Sequence, residues 1–146
     1  RRFGESWSVA AGWEGIHEQD SDSGESRYLA VTGFWRLRDS PAEAFSDLIL
    51  TLGAGDGRFR TESDFVRDAG GVNAFASASV RVLEPVSLIV DWTGQDLATG
   101  ISVVPLRAIP LVVTAALVDL TGAAGDGARF TGSTGLSLRT CSLLPC

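Results

Sequence analysis

At 146 residues the chain suits one domain with a sizeable core, and 45% hydrophobic against 21% charged residues excludes a disordered polymer. A net charge of −6 argues against nucleic acid or anionic lipid headgroups as the main partner. The chain opens on Arg1 rather than Met, so it is read as a mature chain or a fragment, and its start carries no information on targeting either way.

Along the chain the dominant signal is alternation with period two, the mark of a strand with two different faces. In the first candidate strand, Trp7, Val9, Ala11 and Trp13 oppose Ser6, Ser8, Ala10, Gly12 and Glu14. The second sets Leu29, Val31, Trp35 and Leu37 against Ala30, Thr32, Phe34 and Arg36. The third sets Leu48, Leu50 and Leu52 against Asp47, Ile49 and Thr51. The fourth opposes Ala74, Ala76, Ala78, Val80 and Val82 to Phe75, Ser77, Ser79 and Arg81, and the fifth Val86, Leu88, Val90 and Trp92 to Ser87, Ile89 and Asp91. In the sixth, Leu97, Ile101 and Val103 oppose Ala98, Gly100, Ser102 and Val104.

The seventh lies in "RAIPLVVTAALVDLTG", Arg107 to Gly122, the most apolar run of the chain. It falls well short of the roughly twenty apolar residues that a membrane helix needs. Ile109, Val112, Val113, Thr114 and Val118 are β-branched, which favours strand over a buried helix. The run matches the roughly 9–11 residues of a tilted membrane-crossing strand. In the eighth, Phe130, Leu136 and Leu138 oppose Arg129, Thr131, Ser133, Gly135 and Ser137. The predicted fold is all-β, an antiparallel up-and-down meander of about eight strands. It forms a β-barrel, or the C-terminal segment of a larger transmembrane β-barrel, over residues 1–140, with 141–146 as a tail. Cys141 and Cys146 in that tail read either as a small disulfide loop or as two thiols; no Cys or His cluster accompanies them, so no metal site is expected.

One face of every strand is apolar, while the other is mostly Ser, Thr, Ala and Gly. The strand charges Glu14, Arg36, Asp47, Arg81, Asp91 and Arg129 all fall on that second face and carry both signs. Paired charges inside and an apolar band outside fit a membrane barrel. The inverse arrangement, with the apolar face as a soluble core, stays open. On one end the loops "IHEQDSDSGES" and "GRFRTESDFVRDAGG" are long, "TGAAGDGA" is intermediate and "TGQD" short, whereas "DSPAEA", "LEP" and "LRAI" on the opposite end are all short, the asymmetry of outer-membrane barrels. Trp7, Trp13, Trp35 and Trp92 sit near strand ends, where membrane-interface aromatics belong; four tryptophans packed in a core are the alternative.

The stretch Asp91 to Gly122 with "GDGARF", Gly125 to Phe130, and the earlier "LTLGAGDGRFR", Leu50 to Arg60, resembles a family of bacterial outer-membrane β-barrel proteins described as conserved hypothetical or porin-like. The resemblance covers roughly the second two thirds of the chain and rests on strands and turns. It implies the C-terminal part of a larger barrel. One departure stands out: such strands end on an aromatic residue, whereas here the last runs into "LRTCSLLPC".

The echo of Gly53–Phe59 in Ala124–Phe130 reads as two Asp-Gly turns with Arg-Phe beginning or continuing a strand. A phosphate loop would need a following Lys-Ser/Thr and a helix. "DSDSG", Asp20 to Gly24, reads as an acidic surface loop rather than a calcium loop. Arg58, Arg60 and Arg67, beside Glu62, Asp64 and Asp68, read as a solvated external loop able to meet lipopolysaccharide phosphates. The expected function is therefore a non-enzymatic outer-membrane barrel, structural or porin-like, without cofactor, whose partners are membrane lipid and small solutes or ions. The first alternative is a soluble β-barrel binding a small apolar ligand. The second is a lipid-modifying barrel esterase centred on His17, for which no nucleophile signature is present.

Overall fold

The computed structural model describes residues 2–3, 6–14, 25–40, 42–61, 63–64, 67, 70–105, 111–123 and 127–136. His17, Asp20 to Gly24, Glu62, Asp68, Cys141 and Cys146 lie outside the described residues. The strands are β1 (Arg2–Phe3), β2 (Trp7–Glu14), β3 (Ser26–Arg36), β4 (Asp47–Gly55), β5 (Asn73–Leu83), β6 (Val86–Trp92), β7 (Leu97–Val103), β8 (Leu111–Val118) and β9 (Arg129–Leu136). Each pairs antiparallel with its neighbour in sequence, giving one sheet in the order β1 to β9. The eight expected strands are all present, and the two-residue β1 precedes them. Among the described residues the sheet is open: β1 and β9 are its edges, and no pairing joins them into a barrel.

The registers explain why the faces stay segregated. A line of partners runs Trp7, Gly33, Leu50, Ala78, Val90, Thr99, Leu117, Phe130 from β2 to β9. Because side chains alternate with period two, every strand turns its apolar set to the same side. The line also reveals a stagger. Toward the long-loop end β2 continues to Glu14, whereas β9 has only Arg129 there; toward the short-turn end β9 continues to Leu136, whereas β2 begins at the line. The sheet thus slips by roughly one residue per strand, in one direction, which is the tilt and shear that barrel closure requires.

Among the described residues no large apolar side chain is buried on the hydrophobic side. The buried hydrophobic residues are Ala30 and Phe59, and both belong to the opposite, polar face. Leu29, Leu52, Leu88, Val90, Ile101, Val113, Leu117 and Phe130 are exposed, Leu52 at 68% and Phe130 at 74%. At the short-turn end Trp7 and Trp35 pack edge to face, 5.3 Å apart. At the other end Arg27 stands 4.7 Å over the Trp13 ring.

Candidate functional site

The polar face is ordered into lanes by the same register. Ser8, Thr32, Thr51, Ser77, Asp91 and Ala98 lie side by side on β2 to β7. Within this lane the Thr32 and Thr51 hydroxyls are 2.9 Å apart. A second lane nearer the short turns runs Arg81, Ser87, Ser102, Thr114, Ser133 across β5 to β9. It is extended on the β3–β4 side by the pair Arg36 and Asp47. The Thr114 hydroxyl donates to Ser102 Oγ at 3.2 Å.

The second lane ends in an ionic cluster. Asp47 is 7% exposed at its side chain; Arg81 Nη1 lies 2.9 Å from its Oδ2 and Arg36 Nε 3.5 Å from its Oδ1. A carboxylate this buried needs a cation beside it, and here two converge. At the long-loop end Glu14 Oε2 pairs with Arg58 Nη1 at 2.8 Å.

Arg58 is carried by a feature that the alternation does not reveal. After β4 the chain folds back over the polar face in a single 3-10 turn, Gly57–Phe59. Gly57 has φ +61, the positive value an Asp-Gly turn demands. The Arg58 N–H donates to Ser26 Oγ at 2.9 Å, and the Asp56 N–H to the Arg27 carbonyl at 2.9 Å. Phe59 then stacks on Phe75, centroids 4.4 Å apart, and meets the edge of Tyr28 at 6.0 Å. Glycines make room for these rings. A Cβ on Gly12 would collide with Tyr28, one on Gly53 with Phe75, and one on Gly55 with Phe59.

This corrects one expectation. Arg58 and Phe59 neither begin nor continue a strand, as the Asp-Gly reading held; in the echo, Arg129 and Phe130 do open β9. Arg58 itself stays exposed, as expected of that loop, while it pairs with Glu14 and the neighbouring Phe59 is buried. The six charges Glu14, Arg36, Asp47, Arg81, Asp91 and Arg129 share the polar face. The structure brings Arg36, Asp47 and Arg81 together, gives Glu14 to Arg58, and sets Asp91 opposite Ser77 and Arg129 opposite Val118. Sequence reading missed Arg58 as a partner of Glu14; the nearest signal was the Asp56–Gly57 turn, which reverses the chain at that point.

Between the aromatic cluster and the first polar lane lies a concavity of about 630 Å³. Its walls include Glu14, Arg58, Asp91, Thr51, Ser77 and Phe75. The other side of the sheet carries a smaller apolar concavity of about 350 Å³, lined by Trp7, Trp35, Trp92, Ala76 and Ala78 among others. Among the described residues no group of three or more His, Cys, Asp or Glu side chains could hold a metal ion.

Beyond the strand ends, the β6–β7 turn holds one more buried carboxylate. Asp96 accepts from the Thr121 N–H at 3.0 Å and from the Thr121 hydroxyl, tying this turn to the β8–β9 connection. Burial alone would raise its pKa. The Thr121 hydroxyl and N–H, with the backbone N–H groups of Leu97 and Asp119, outweigh that and hold it below the usual carboxylate range.

Comparisons with protein-family models, with curated proteins and with solved structures find no match.

Proposed function

We propose that the chain is a non-enzymatic outer-membrane β-barrel protein, or a strand segment of a larger barrel, with its apolar face toward lipid and its polar lanes toward an aqueous interior. The observation that carries this reading is the inversion of burial. Large apolar side chains are exposed on one face of the sheet, while Ser26, Ala30, Ser46, Asp47 and Phe59 are buried on the other side or at the strand ends. An exposed apolar surface spanning eight strands far exceeds the isolated patches that water-exposed monomers tolerate. The one-directional stagger supports closure, and the tryptophans at both strand ends support interfacial anchoring. If the strands close alone, side chains fill the interior; with further strands, the same charges line a pore.

Heat-modifiable migration tests this reading. After refolding into detergent, the unheated chain is expected to migrate as a compact species in SDS and to shift on boiling. A chain that instead purifies without detergent as a monodisperse, cooperatively unfolding monomer overturns it. One observation favours a second reading, a soluble β-protein that binds a small apolar ligand: the apolar concavity between Trp7, Trp35 and Trp92. Detergent-free solubility together with binding of a small apolar probe there would establish that reading instead.

A further inference from the structure

The polar concavity holds an uneven set of charges. Glu14 pairs with Arg58 at 2.8 Å, and the Arg58 charge also reaches Asp91 on the same wall, so two carboxylates share one cation and the wall carries one net negative charge. Asp91 faces Ser77 directly across β5 and β6, and Ser77 faces Thr51 across β4 and β5. Directly opposed side chains on a sheet stand about 4.5–5.5 Å apart at Cβ, so the carboxylate and two hydroxyls form one contiguous row of oxygen acceptors. No hydrogen bond within the described residues engages the Asp91 carboxylate or the Ser77 hydroxyl. Phe75, two residues along β5 from Ser77 on the same face, supplies an aromatic wall. Phe59 and Tyr28 hold that ring in place. A carboxylate, an unengaged Ser77 hydroxyl, the Thr51 hydroxyl with a lone pair left beside its bond to Thr32, and a ring are groups that accept an ammonium with a short apolar stem. An anion would meet Asp91 and would find Arg58 already shared between Glu14 and Asp91.

We infer that the polar concavity beside Asp91 is a binding site for a small organic cation carrying a primary ammonium group, with Asp91 as its counter-ion and Ser77 and Thr51 as hydrogen-bond acceptors. Arg58 sets the charge preference: with it the site carries one net negative charge, and without it two. The site belongs to the chain whether its apolar face meets lipid or not, so it goes beyond the membrane reading and does not depend on it.

The test uses the full chain, in detergent micelles or plain buffer, whichever keeps it monodisperse. Propylammonium is titrated and followed by the amide shifts of Ser77 and Asp91, with propionate as the anionic counterpart. Propylammonium is expected to bind in preference to propionate. Asp91→Asn weakens it by about tenfold, the scale of losing one partly buried charge partner, and Asp91→Glu keeps most of it. Arg58→Gln lies outside the strands and tightens propylammonium binding several-fold. Amide spectra of each variant report whether the sheet is intact. Equal or stronger binding of propionate by the wild-type chain overturns the inference without any variant. So does the absence of saturable propylammonium shifts, or binding indifferent to both Asp91→Asn and Arg58→Gln. Heat-modifiable migration is read on the same samples, so failure of the site and failure of the membrane reading are separate results.

Discussion

Asp47 is where two arginines from different strands converge, and the two contacts differ in weight. Arg81 approaches at 2.9 Å and is the less exposed partner; Arg36 stands at 3.5 Å and is more exposed. Arg81→Gln is therefore expected to destabilise the chain by about 1–3 kcal/mol, below the value for a fully buried pair, and Arg36→Gln by under about 1 kcal/mol. Urea titrations of the two variants under one refolding condition check the order. Gly53 offers a steric test, since any Cβ there meets the Phe75 ring. Gly53→Val is expected to cost about 1–3 kcal/mol, and Phe75→Leu in the same chain to recover part of that loss. Asp96 provides the pH dependence. Its folded pKa is lowered, so the stability it contributes is present above the ordinary carboxylate pKa of about 3.9 and is lost as pH falls through its folded value. Hydrogen exchange at the Thr121 amide should accelerate below about pH 4 in the wild-type chain. It should be fast and pH-independent, after correction for intrinsic exchange, in Asp96→Ala.

Among the elements, the strands were the most legible part of the sequence. Alternation such as Val86–Leu88–Val90–Trp92 against Ser87–Ile89–Asp91 is local, and the pairing of each strand with the next preserves it across the sheet. The apolar run near Arg107 also resolves as a strand, Leu111–Val118, because its β-branched residues suit a pleated surface. Its second face, rich in Val112, Ala116 and Val118, sits opposite Gly135, Thr131 and Arg129 of β9, so small or flexible neighbours accommodate it. The 3-10 turn was not legible, because its place over Tyr28 and Phe75 depends on contacts between distant residues rather than on period. The two similar stretches differ in outcome: Arg129 and Phe130, set off from the Asp-Gly pair by Ala128, open a strand, whereas Arg58 and Phe59 follow Gly57 directly and fold inward over Gly12, Gly53 and Gly55. Of the six strand charges, the shared face was legible but the partners were not, since Glu14 is met by Arg58 from outside the strands. The edge strand β9 is exposed along its whole length and, among the described residues, pairs on one side only. Its amides are expected to exchange faster than those of β4 and β5, which are paired on both sides, when the chain is studied alone. Equal protection in β9 would mean that its free edge is paired in solution.

For the whole molecule, the account turns on which side of the sheet meets water. A soluble sheet with this register would bury Leu29, Leu52, Val90 and Leu117, and all four are exposed. The proposed lipid contact would need no covering layer on that side, and the slip of roughly one residue per strand suits the curling that closure requires. Open edges on a sheet with an apolar face invite further strand pairing, within one chain or between copies. The most direct test is a nitroxide scan along β6 from Val86 to Trp92, in a chain with Cys141 and Cys146 replaced by Ser and refolded into lipid bilayers. The account predicts high accessibility to oxygen and low accessibility to a water-soluble nickel chelate at Val86, Leu88, Val90 and Trp92. The intervening positions Ser87, Ile89 and Asp91 should show the reverse. Chelate access at Leu88 and Val90 equal to that at Ser87 and Asp91 would contradict it.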